Sequence, residues 1–61
     1  MDRRKLERHM RRYGCSLRRE GGSHSIWENP ENGITAAVPR HGEVNDHTAR
    51  RICKDLGIPP P

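Results

Sequence analysis

Gly21-Gly22-Ser23-His24-Ser25-Ile26-Trp27-Glu28-Asn29-Pro30-Glu31-Asn32-Gly33-Ile34-Thr35-Ala36-Ala37-Val38 holds two turns and the strands that follow them. Ser25, Ile26 and Trp27 have the β-branched and aromatic character of a half-buried strand, which is read from about Ser23 to Glu28. Asn29-Pro30-Glu31-Asn32-Gly33 is a turn, because proline fixes φ and Asn-Gly tolerates positive φ. The next strand, Ile34 to Val38, therefore pairs back antiparallel, and Pro39 ends the ladder by withholding a donor. Ile34, Ala36 and Val38 are in phase and small enough to lie beneath packed helices. Upstream, Cys15, Leu17 and Arg19 alternate with Ser16, Arg18 and Glu20, a first strand that stops at Gly21-Gly22. Those glycines permit φ > 0 and close approach of a backbone or phosphate, and they deliver His24 onto the start of the second strand.

Helices flank these strands. Leu6, Met10 and Tyr13 follow i, i+4, i+7 spacing within residues 3 to 13, with Asp2 as a cap and Gly14 as a stop. Arg4, Arg8, Arg11 and Arg12 share another side, available to a polyanion or simply solvated. From Asp46, a good cap residue, to Leu56 the positions Ala49, Ile52, Cys53 and Leu56 form a second apolar stripe, closed by Gly57. The outer face of this helix carries Arg50, Arg51 and Lys54, and Pro59 to Pro61 are expected to trail off.

The expected fold is α+β in the order α-β-β-β-α, residues 1–61 as one domain: a three-stranded antiparallel sheet with two helices on one face, the order used by double-stranded-RNA-binding domains. Its expected core is Leu6, Met10, Leu17, Ile26, Ala36, Val38, Ala49, Ile52 and Leu56. With Ile26 inward, Trp27 would face the other side of the sheet and meet a base or a protein partner, although the sequence does not say which face is covered. Tyr13 is expected in the core rather than stacked on a base.

At 61 residues the chain buries only about 60% of its unfolded surface, so the core must be thin. Twelve Lys and Arg against 8 Asp and Glu give a net charge of +4, and ten of those cations are arginine, whose planar fork suits phosphate. Nucleic acid is the expected partner. Cys15 and Cys53 each lack a neighbouring cysteine and lie in apolar phase, so buried thiols in a reducing cytoplasm are expected. No leader or membrane span is written in the chain, and the scattered histidines His9, His24, His41 and His47 form no i, i+4 metal pair. Neither a metal nor a cofactor is expected.

Three segments in order, Gly22-Ser23-His24-Ser25-Ile26-Trp27, Val38-Pro39-Arg40-His41 and Ile52-Cys53-Lys54-Asp55-Leu56-Gly57-Ile58, resemble the HicA family of bacterial toxins from about Leu6 to Pro59. That resemblance implies a small mRNA interferase, a ribonuclease with a double-stranded-RNA-binding-like fold, kept inactive by a HicB antitoxin that covers the active histidine. By position in the motif that histidine is His24, preceded by Gly22 and Ser23 in the supporting turn. Where many relatives carry a Lys-Pro-Gly-type loop before the second helix, this chain has Val44-Asn45-Asp46-His47, which removes an expected basic contact.

The chemistry agrees with that implication. Cleaving RNA without a metal requires taking a proton from a 2′-hydroxyl, protonating a leaving 5′-oxygen and stabilising the charge on phosphorus. Imidazole exchanges protons near neutrality, so His24 is the expected general acid and base. Arg18, Arg19 and Arg40 are expected to contact phosphate at the site, and Arg50, Arg51 and Lys54 to bind RNA from the second helix. His41 is a second proton carrier or a loop histidine bonded to backbone. Two other classes remain open: a non-catalytic RNA-binding module, and an interaction protein whose basic surface matches an acidic partner.

Overall fold

The computed structural model describes residues 1–40 and 42–61. It contains α1 (Arg3–Arg12), β1 (Ser16–Glu20), β2 (His24–Asn29), β3 (Ile34–Pro39) and α2 (Asp46–Leu56). The strands form one antiparallel sheet in the order β1-β2-β3. Side chains alternate across a strand, so directly paired residues share a face. Ser25 pairs with Val38 and Trp27 with Ala36 on the face that the helices cover; His24 pairs with Pro39, Ile26 with Ala37 and Glu28 with Thr35 on the open face.

The core lies between the covered face and the helices. Leu6 and Met10 of α1 meet Trp27, Val38 and the α2 stripe of Ala49, Ile52, Cys53 and Leu56, with Cys15, Val44 and Ile58 closing the ends. This corrects part of the expected core. Trp27 points inward and is 1% exposed, so Ile26 falls on the open face and is only partly covered. Leu17, opposite Trp27, belongs to the covered face by register, but β1 is an edge strand beyond the reach of the helices and leaves it 41% exposed. Tyr13 is also exposed: α1 ends at Arg12, and the tyrosine turns outward against the His9 ring, 5.0 Å between centroids. Its spacing from Leu6 and Met10 is helical only while the helix continues.

Both helices end in the same device. Past α1, Gly14 (φ 87°) donates to the Arg11 carbonyl and Cys15 to that of Met10; past α2, Gly57 (φ 75°) donates to Lys54 and Ile58 to Cys53. These paired bonds satisfy carbonyls that a helix end leaves free, and in each case a buried apolar pair closes the motif, Cys15 with Met10 and Ile58 with Cys53. At the opposite ends, the Asp2 carboxylate accepts from the Arg4 amide as expected. On α2 the capping side chain is Asn45, which accepts from the His47 amide, and Asp46 is the first helical residue. The chain does not trail off at once after α2, because the Pro59 carbonyl lies 2.7 Å from His9 Nε2.

The β2–β3 turn is tied to α2. Buried Asn29 donates through Nδ2 to the Leu56 carbonyl at 2.8 Å and accepts the Glu31 amide; Asn32 donates to the same carbonyl at 3.1 Å and accepts the Ile34 amide. One pair of asparagines thus shapes the hairpin and satisfies a helix-end acceptor. Asn29→Ala leaves the buried Leu56 carbonyl with a weaker partner set and is expected to cost about 1–3 kcal/mol, read as a lower urea midpoint with an unchanged slope. An unchanged midpoint would remove the turn–helix tie from the account.

Candidate active site

His24 occupies the first position of β2, exposed on the open face, where the hairpin turn from β1 hands the chain back into the sheet. The Ser23 hydroxyl lies 3.1 Å from its Nδ1. A hydroxyl both donates and accepts, so it serves either neutral tautomer: it donates to a bare Nδ1 or accepts from Nδ1–H. Nε2 has no hydrogen-bond partner among the described residues. Ser23 therefore orients the ring without fixing which nitrogen carries the proton.

The turn that presents the ring is held from three sides. Gly21 donates to the His24 carbonyl at 2.7 Å, and the Arg40 amide donates to the Ser23 carbonyl at 3.2 Å, extending the β2–β3 ladder past its last strand pair. Arg40 Nη1 donates to the carbonyls of Gly21 (3.0 Å) and Gly22 (3.3 Å). Its Nη2 lies 3.0 Å from Glu20 Oε2, while Glu20 Oε1 accepts from the buried Ser25 hydroxyl at 2.9 Å. Neither Gly21 nor Gly22 takes a positive φ, contrary to the reason expected for glycine there. Gly21 is required by closeness instead: a Cβ at this position would sit 2.7 Å from the His24 carbonyl oxygen, whereas one at Gly22 meets nothing within 4 Å. Gly21→Ala should push the strand start away and cost about 1–3 kcal/mol, while Gly22→Ala should melt near the parent temperature. Thermal melts of the pair decide this, and equal melting temperatures would contradict it.

Cations reach the open face through a bulge. The β1–β2 register shifts between Leu17 and Arg19, so the alternation expected for β1 is broken there. Arg18 and Arg19 consequently line the same open-face groove, with Arg18 Nη1 3.0 Å from Glu28 Oε1 and Arg19 opposite Ile26. A second groove, of 390 Å³, runs from His24 and Pro39 along β3 to Thr48, Arg51 and Asp55 of α2. The structure thus brings Arg51 to the groove that His24 lines, while Arg50 and Lys54 share a neighbouring groove with Arg51 and His47 and extend toward Ile58 and Pro60. On α1, Arg11 does not join a purely solvated face: its guanidinium lies over the Trp27 ring, 4.9 Å from the centroid.

His41 lies outside the described residues. Among them, no three His, Cys, Asp or Glu side chains are grouped to hold a metal, and no helix is long and apolar enough to cross a membrane. Both cysteines are free and buried; burial pushes their thiols above the ordinary value, with Cys15 adding to the shift at Cys53. They belong to the core, not to the site. The Glu20–Ser25–Arg40 network was not legible in the sequence, since no spacing signal links residues that meet only when the sheet closes. Gly21 could have been singled out only from the same closure.

No curated protein and no solved structure gave a match to this chain. Residues 3–58, covering both helices and the whole sheet, match the family described as HicA toxin of bacterial toxin-antitoxin. The resemblance carried by the His24, Arg40 and α2 segments therefore extends over almost the entire fold, and the chain belongs to the HicA toxin family.

Proposed function

We propose that the protein is a metal-independent RNA endonuclease, an mRNA interferase acting in the cytoplasm, with His24 as its general acid and base and a HicB-type antitoxin as its inhibitor. The observation that carries this reading is an exposed imidazole at a strand start, held at Nδ1 by Ser23 and open at Nε2, on a sheet face that also bears Arg18 and Arg19. Nε2 removes the 2′-hydroxyl proton, the resulting oxygen attacks the adjacent phosphorus, and the protonated ring returns that proton to the departing 5′-oxygen. With Nε2 as the base the neutral ring carries its proton on Nδ1, so Nδ1–H donates to the Ser23 hydroxyl oxygen in both the neutral and the protonated ring, and that contact keeps the ring oriented throughout. Arg51, which shares the groove with His24, and the Arg18–Arg19 pair supply positive charge to the phosphates around the cut; Arg50 and Lys54 extend that field along the helix.

Inhibition follows from size. A protein partner covers about 800 Å² on each side of an ordinary interface, roughly one fifth of the 4142 Å² this domain exposes. A partner seated on the open face would cover His24 without needing to distort it. Purified protein incubated with RNA in EDTA is expected to cut it, and the cut is expected to disappear when the antitoxin is added. Salt-sensitive binding without any fragments, at all protein concentrations, would instead establish a non-catalytic RNA-binding module.

A further inference from the structure

Arg40 is placed beside His24 by the hairpin, yet its guanidinium faces the turn rather than the open groove. Nη1 bonds two successive carbonyls, Gly21 and Gly22, and Nη2 pairs with Glu20. Glu20 in turn accepts from Ser25, the next residue after His24 in β2. A ring of contacts therefore runs from Glu20 through Arg40 to the backbone of residues 21 and 22, and back through Ser25, enclosing the segment that carries Ser23 and His24. The Arg40 side chain is 42% exposed and that of Glu20 is 48% exposed, so the ion pair adds little to global stability. What it fixes is local: the direction in which the peptide planes before His24 point.

We propose that Arg40 and Glu20 act together as positioning residues that set the turn geometry of the Ser23–His24 pair, and that Arg40 is not a phosphate contact. This rests on the ribonuclease reading above for its catalytic consequence, but its structural half stands without it. A shift on the order of 1 Å in a catalytic group can cost on the order of 100-fold in rate. Arg40→Ala removes every side-chain bond, and Glu20→Gln keeps an acceptor for Ser25 while removing the charge that holds Nη2. Arg40→Lys supplies one compact ammonium, which reaches the carbonyls or the carboxylate but does not reproduce the fork.

The test combines three readouts on the full chain. Single-turnover cleavage should fall about 10- to 100-fold in Arg40→Ala and less in Arg40→Lys, and Glu20→Gln should fall with them. RNA affinity, measured in a His24→Ala background so that nothing is cut, should change less than about threefold, with the same slope against log salt concentration; losing a phosphate contact lowers that slope by about 1. Amide exchange at Gly21 and Arg40 should accelerate in Arg40→Ala and Glu20→Gln while core amides remain protected. Undiminished cleavage with unchanged exchange overturns the proposal, as does weaker binding with a shallower salt slope. Should the parent protein fail to cut RNA, the ribonuclease reading fails by itself and the exchange data still decide whether Glu20 and Arg40 set the turn.

Discussion

Trp27→Ala is expected to abolish cooperative folding. Trp27 is the largest of the fully buried side chains and lies in the cluster formed by Leu6, Met10, Val38 and the α2 stripe. Truncating a buried tryptophan costs about 3–5 kcal/mol. Native domains hold about 0.05–0.15 kcal/mol per residue, so 61 residues amount to about 3–9 kcal/mol in total. The loss is therefore comparable to the whole stability. Arg11 would also lose the ring it lies over. Trp27→Phe should be much milder, because the buried indole N–H has no hydrogen-bond partner among the described residues and none is forfeited. Circular dichroism during urea titration separates the cases: a sigmoidal transition for the phenylalanine variant and a featureless drift for alanine. A parent-like transition in Trp27→Ala would mean that the open and covered faces of β2 have been exchanged.

His24→Ala has the second large effect, on rate rather than stability. Its side chain is exposed, and among the described residues its only side-chain hydrogen-bond partner is the neighbouring Ser23 hydroxyl, so urea midpoints of parent and variant should agree. Cleavage should nevertheless fall by about 100- to 10,000-fold, the usual contribution of a positioned acid or base. Ser23→Ala should lie between parent and His24→Ala, since it frees the ring to rotate but leaves the proton carrier in place. Expression in bacteria provides a parallel readout: the parent is expected to arrest growth unless an antitoxin is co-expressed, and His24→Ala is expected not to. Arrest by the variant at parent level would require another residue to carry the proton.

Much of this was written in the chain at the level of elements. The α-β-β-β-α order, the Asn29–Gly33 turn, the Asp2 cap and the Gly14 and Gly57 stops depend on local chemistry, and local chemistry is what a sequence displays. The face of β2 was not displayed, because Ile26 and Trp27 are both apolar and adjacent. Their assignment is made by the helices, which cover Trp27 and leave the open face bare. Leu17 differs for a related reason: correct phase in a strand buries a residue only where the helix layer covers it, as at Val38 of β3, and Leu17 of β1 is left exposed. The Asn45 cap differs by one position from the acidic residue expected, a choice between neighbours with similar capping strength.

At the candidate site, the motif points to His24, and its exposure agrees with the role proposed for it. The reason for Gly21 was hidden, since it is a 2.7 Å approach to a carbonyl three residues ahead rather than a backbone angle. Arg18 and Arg19 were expected on opposite sides of β1, and the bulge that brings both to the open groove leaves no mark in composition. Arg40 is expected from the sequence to contact phosphate because charge is visible in a sequence; the engagement of that charge with Gly21, Gly22 and Glu20 is not.

The ends of the cut RNA give the most direct test of whether His24 performs proton transfer on a transcript. Attack by the 2′-oxygen leaves a 2′,3′-cyclic phosphate on one fragment and a 5′-hydroxyl on the other. Mass spectrometry of fragments made in EDTA should find those ends with the parent protein, and no fragments above background with His24→Ala at matched concentration and fold. Fragments bearing 5′-phosphates, or the same cyclic ends produced equally fast by the variant, would contradict the account.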